Sequence, residues 1–121
     1  INVVMFRDRR KGIRRILQVA EFDAEKDQAK ANILYRWSPE EDVLLVHNEN
    51  SRLFEDLGRN TGMSIHEIEQ DLNEKQKILH WLVEHKIRAL SELGAVINLY
   101  YTNRSFLVQS MRQNNIKAIL V

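Results

Sequence analysis

The chain is expected to fold in the α+β class, as an N-terminal antiparallel four-stranded hairpin sheet followed by a four-helix C-terminal bundle. Three observations predict this. Short apolar or alternating runs separated by polar turns fill residues 1–47. From Asn48 onward the apolar residues recur at helical spacing instead. The strands all precede the helices, an order that places helices on one side or at one end of an antiparallel sheet. Residues 1–47 are therefore read as the sheet and 48–121 as a helical subdomain, in one compact unit. A chain of 121 residues is long enough for one domain with one core.

Residues 1–6, INVVMF, form a short apolar, β-branched run that reads as a buried strand. The turn RDRRKG closes on Gly12, and residues 13–22 return as its hairpin partner. A second polar turn spans residues 23–28, and residues 29–37 then alternate. Ala31, Ile33, Tyr35 and Trp37 are expected on one face, with Lys30, Asn32 and Arg36 on the other. Pro39 fixes the turn Ser38-Pro39-Glu40-Glu41, and residues 42–47 form a fourth strand around Val43, Leu44, Leu45 and Val46.

Asn50 or Ser51 is placed to cap a first helix carrying Leu53, Phe54 and Leu57, which ends near Asn60 with Gly62 as its left-handed terminator. Residues 64–86 are the longest uninterrupted pattern. Ser64 and Glu67 stand in the capping-box relation, and Met63 and Ile68 are placed as a hydrophobic staple. Ile65, Ile68, Leu72, Leu79, Leu82 and Val83 mark the expected buried face, so truncating Leu72 or Leu79 is expected to destabilise the fold. After a break at residues 85–88, Leu90, Leu93, Ile97, Tyr100 and Tyr101 mark a third helix, with Gly94 marking a close helix contact. Thr102 or Asn103 caps a last helix through Phe106, Leu107 and Met111. The tail IKAILV reads as an edge strand or a frayed end.

Composition bounds the function. Hydrophobic residues at 44% and charged residues at 29% are a globular balance. The net charge of +1 gives no global attraction to nucleic acid or an anionic membrane. The absence of cysteine excludes disulfides and thiolate metal sites. No apolar run approaches the ~20 residues of a membrane-spanning helix. The chain opens on Ile1 inside a strand-like run, so an upstream neighbour is expected.

No phosphate loop and no G-x-G-x-x-G turn is present, so a nucleotide pocket built by this chain alone is not expected. None of Ser38, Ser51, Ser64, Ser91, Ser105 and Ser110 sits in a nucleophile elbow. His80, Glu84 and His85 cluster, but spacings of four and five swing His85 away from the other two, unlike an H-E-x-x-H zinc face. Solvated polar residues near a helix C-terminus are the plainer reading, and neither a metal nor a catalytic residue is assigned. Trp37, Trp81, Tyr100 and Tyr101 are read as packing residues rather than a ligand cage.

Arg7, Arg9, Arg10, Lys11, Arg14 and Arg15 are the one concentration of charge. The bland reading is a solvated hairpin tip. The sharper one is a surface for an anion or a protein partner, because arginine presents a planar fork to phosphate or carboxylate. Nucleic acid is the weaker choice of anion, since no aromatic residues are interleaved with these cations.

In combination, several of these stretches resemble a known family. They are the paired Arg14-Arg15 within GIRRILQVAEFD, the strand from Asn32 to Trp37 ending in R-W, the acidic turn after it, the T-G-M-S junction from Thr61 to Ser64, and YYTN from Tyr100 to Asn103. Together they resemble the C-terminal region of archaeal type II/type IV secretion-system ATPases, the family of archaellum and pilus-assembly motors. The likeness runs from Ile13 to about Met111. It implies a homohexameric motor with a RecA-like core that couples ATP hydrolysis to secretion or filament assembly. It also implies ATP and Mg for the parent chain, and a cytoplasmic location peripheral to the inner face of the membrane. Implied partners are the upstream core, neighbouring subunits and secretion or pilus membrane components. The Walker motifs of that family are not in this stretch, so the chain is expected to be a structural and coupling segment, inactive alone. The alternative is a stand-alone protein- or anion-binding module using the arginine hairpin.

Overall fold

The computed structural model describes residues 1–50 and 52–120, with the backbone alone at Glu25. The order is β1 (Asn2–Asp8), β2 (Ile13–Glu25), β3 (Gln28–Ser38), β4 (Val43–Val46), then α1 (Leu53–Thr61), α2 (Ile65–Glu84), α3 (Leu90–Thr102), α4 (Arg104–Arg112) and α5 (Ile116–Leu120). The α+β class holds, with five helices where the sequence predicts four. The fifth is the tail, which is neither edge strand nor frayed end: its Ile119 is buried against the helical core, which supplies the order that an isolated apolar hexapeptide lacks. Val121 lies outside the described residues.

The chain divides into two compact units, Ile1–Ile68 and Glu69–Val121. The first helix and the opening turn of α2 thus group with the sheet, rather than with the helices that follow Asn48 in the sequence.

The first unit is built on a sheet of order β1-β2-β3-β4, antiparallel throughout. Two of its turns share one design. The β1–β2 loop ends on Gly12 at φ 65°, and the β3–β4 loop ends on Asp42 at φ 53°. Both turns reverse the chain over four residues, with Asp8 opposite Ile13 and Ser38 opposite Val43. Asp8 Oδ1 steadies the first, accepting from the backbone N–H of Arg10 (2.9 Å) and Lys11 (3.3 Å). The β2–β3 turn is tighter than the sequence predicts. Glu25 pairs with Gln28, and Lys26 and Asp27 both take positive φ, 44° and 66°, as a two-residue hairpin turn demands.

Two bulges correct the expected facing. Tyr35 pairs with Val19 and Ile33 with Ala20, so Leu34 is an extra residue on β3. Because successive residues of β2 face opposite ways, Ala31 and Ile33 lie on one face and Tyr35 and Trp37 on the other. Simple alternation placed all four together. Leu17 is the matching extra residue on β2, between the pairs Val4–Gln18 and Met5–Ile16.

Large apolar side chains remain exposed on both faces. One carries Tyr35, Leu44 and Val46, and the other carries Phe22 and Leu45. Phe6 and Trp37 stack with ring centroids 5.8 Å apart. The expected burial of the first strand is not met: Val3 and Met5 are exposed and Val4 is half-buried.

The second unit holds the helical core of Ile78, Trp81, Leu82, Ile87, Val96, Leu107 and Ile119. The capping box forms, with Glu67 N–H donating to Ser64 Oγ (3.2 Å) and Ser64 N–H to Glu67 Oε1 (3.4 Å). Asn103 caps α4, accepting from Phe106 N–H at 3.4 Å. Gly62 ends α1 in the left-handed region as expected, at φ 73°. The buried face of α2 differs from the expected one. Ile68, Ile78, Trp81 and Leu82 are buried, whereas Ile65, Leu72, Leu79 and Val83 are exposed. The helix has apolar residues on two stripes, and the core takes the one centred on Ile78 and Leu82.

Candidate functional site

The six cations of the first hairpin do not make one surface. Strand alternation turns Arg14 and Arg15 to opposite faces of the sheet. Arg15 is committed there: its Nε and Nη2 reach Asp42 Oδ1 and Oδ2 at 2.6 and 2.9 Å, and its Nη1 donates to the Arg14 carbonyl at 2.8 Å. Trp37 Nε1 donates to the same carboxylate at 2.8 Å. The hydrogen bonds from Arg15 and then Trp37 hold the Asp42 carboxyl well below its ordinary range, at about 2, and the Arg15 pKa is raised in turn. Arg15 is thus a bracing residue that ties β2 to the β3–β4 turn.

Arg7 and Arg14 stand directly opposite each other on β1 and β2. Like charges in that relation repel, with Cβ atoms roughly 5 Å apart. Neither makes an ion pair with a described residue. With Arg9, Gly12 and Ile13 they line an open concavity of about 690 Å³. Arg10 and Lys11 sit exposed on the turn beside it, their backbone N–H groups held by Asp8. Two guanidinium groups at adjacent strand positions can grip a phosphate or carboxylate from both sides.

Sequence reasoning missed a buried carboxylate at the other end of the sheet. Glu21 on β2 is 4% exposed. Its Oε2 accepts from Leu53 N–H (2.9 Å) and Arg52 N–H (3.3 Å), so it caps α1 from a strand. Its Oε1 accepts from Asn32 Nδ2 (2.9 Å), which also donates to the Glu49 carbonyl (3.0 Å). Asn50, one of two expected caps, accepts from Phe54 N–H at 3.3 Å, and the other, Ser51, lies outside the described residues. The role of Glu21 is positional: it fixes where α1 starts relative to β2 and β3.

In the second unit a charged network joins α2, α3 and α4. Tyr100 donates to Asp71 Oδ1 (3.2 Å), Lys75 Nζ lies 2.8 Å from Asp71 Oδ2, and Arg104 forms a bidentate pair with Glu74. Lys75 and Arg104 both sit over the Tyr100 ring, at 5.9 and 5.5 Å from its centroid. The Lys75 hydrogen bond lowers the Asp71 pKa, and the Arg104 hydrogen bond lowers that of Glu74. Burial raises the Tyr100 pKa. Every member is answered by another, so the network braces the three helices.

The structure separates the three residues of the histidine cluster. His80 Nε2 lies 3.9 Å from Glu84 on the exposed side of α2, while His85 stacks on Trp81 at 4.1 Å and its Nδ1 donates to the Trp81 carbonyl at 2.8 Å. No group of three metal-ligating side chains occurs among the described residues. Trp81 is a core residue whose indole N–H donates to Asn114 Oδ1 at 3.2 Å, and Trp37 is half-buried against Phe6. Tyr100 and Tyr101 meet edge to face, Tyr101 being exposed. Among the described residues, no helix is long and apolar enough to cross a membrane. No protein-family model matches the chain, and no curated protein matches it.

Proposed function

We propose that this chain is the C-terminal segment of a secretion- or pilus-type motor ATPase, acting as a structural and coupling element with no nucleotide site of its own. The resemblance in Arg14-Arg15, the strand from Asn32 to Trp37, the T-G-M-S junction and YYTN motivates the reading. One structural observation supports it: the sheet leaves large apolar side chains exposed on both faces, among them Val3, Met5, Phe22 and Val46, as a sheet does when it completes the core of a larger assembly. In that role its partners are an upstream RecA-like core, neighbouring subunits of a hexamer and membrane components of the secretion or pilus machinery. ATP and Mg are bound by the parent chain, at the cytoplasmic face of the membrane. The purified chain is expected to bind no ATP at micromolar concentration and to hydrolyse none. Joined to the upstream part of its gene product it is expected to turn ATP over. Micromolar nucleotide binding by the chain alone overturns the proposal.

A second reading has its own observation, the opposed Arg7 and Arg14, neither of which makes an ion pair with a described residue. On this reading the hairpin holds an anionic ligand or an acidic protein segment. Binding of polyphosphate that weakens steeply with salt and is lost in Arg7→Gln supports it, and no binding at low salt removes it.

A further inference from the structure

We propose that the groove between α2 and α4 docks an acidic segment of a partner protein, with an apolar anchor on its floor and carboxylates held by cations on its two walls. The groove is open and holds about 690 Å³. Both walls follow from helical spacing. Gln70, Glu74, Lys77 and Trp81 stand three or four residues apart on α2, and Arg104, Val108 and Arg112 stand four apart on α4, so each set lines one side of its helix. Ile78 and Trp81 are buried, and Val108 and Met111 are half-buried, so the floor is apolar. Met111 adds a flexible thioether that adapts to the shape of an incoming side chain.

The charges on the walls name the occupant. Three cations, Lys77, Arg104 and Arg112, stand against one carboxylate, Glu74, and both oxygens of Glu74 are engaged by Arg104. The nearby Asp71 is taken by Lys75 and Tyr100. That leaves Lys77 on one wall and Arg112 on the other, and neither makes an ion pair with a described residue. Arg112 is in the last turn of α4, where a cation suits the helix dipole. Lys77 is in mid-helix, and the residues four before and four after it are Asn73 and Trp81, neither of them acidic. Cations on both walls above an apolar floor complement a segment in which acidic residues flank an apolar one. Gln70 and Asn73 bring amides that both donate and accept, as a peptide backbone requires. A nucleic acid fits worse. Trp81, the aromatic ring among the lining residues, is 9% exposed and stacked on His85, which leaves no face for a base. The groove lies wholly in the second unit, so the proposal stands or falls apart from the motor reading and from the arginine hairpin.

The probe is a set of peptides selected from a random phage-displayed library against the full chain and then synthesised. They are expected to carry Asp or Glu around an apolar residue, and to bind more weakly as salt rises. Lys77→Glu and Arg112→Glu change exposed positions and are expected to keep the circular dichroism of the parent. Each is expected to weaken peptide binding by about tenfold or more. Binding to Lys77→Glu is expected to return when the acids of the peptide are replaced by lysine, and Arg7→Gln on the hairpin to change nothing. If one reversal disturbs the fold, the other decides. Selection that yields no binder, or binders without acidic residues, overturns the proposal. So does binding that survives both reversals or is lost in Arg7→Gln. Polyphosphate that binds at Lys77 and Arg112 more tightly than any selected peptide makes the groove a small-anion site and overturns it too.

Discussion

Asp42 occupies the place in the β3–β4 loop that Gly12 occupies in the β1–β2 loop, both at positive φ. Glycine takes that conformation without strain, and aspartate is one of the few other residues that tolerates it. The carboxylate explains the choice, because no glycine can receive Arg15 and Trp37. A folded-state pKa of about 2 lies below the ordinary carboxylate value of about 3.9. The stabilisation is therefore fully present above pH ~4 and is lost as pH falls towards ~2. The Asp42 carboxyl resonance, and the Trp37 indole N–H that donates to it, are expected to titrate near 2, and Asp42→Asn to abolish the Trp37 response. A midpoint near 4 would refute the bracing role. The reciprocal caps between Ser64 and Glu67 were legible because their spacing of three is itself the signature. Glu21 was not, because its donors at Arg52 and Leu53 are joined to it only by folding.

At the scale of elements, α2 shows why a helix can be certain and its orientation not. Its limits and cap follow from local chemistry. Its buried face does not, because Leu72, Leu79 and Val83 match helical spacing as well as Ile68, Ile78 and Leu82 do. Ile78→Ala and Leu82→Ala are expected to lose about 2–5 kcal/mol, and Leu72→Ala and Leu79→Ala less than about 1 kcal/mol. Urea unfolding of the four variants at low protein concentration separates the stripes, and equal losses would contradict the observed burial. The β2–β3 turn offers the reverse test. Lys26 and Asp27 both hold positive φ where Asn-Gly is preferred. Replacing them by Asn-Gly is expected to stabilise the chain by about 0.5–1 kcal/mol, read as a higher urea midpoint.

For the whole molecule, the order of strands before helices was legible because the apolar period changes at Asn48. The bulges at Leu17 and Leu34 were not, since one extra residue reverses the facing of a strand without disturbing its composition. The helix α1 belongs to the same unit as the sheet, where Glu21 holds its first turn. One feature of that sheet governs how the chain behaves in a test tube. Its outer strand β4 is VLLV, short, uncharged, exposed at every residue and hydrogen-bonded on one side alone. Such an edge templates strand addition by other molecules, and β4 carries none of the lysines or prolines that commonly protect one. Aggregation on concentration or warming is expected to start there. A lysine at Leu45 is expected to suppress turbidity, and unchanged turbidity would place the sticky edge elsewhere.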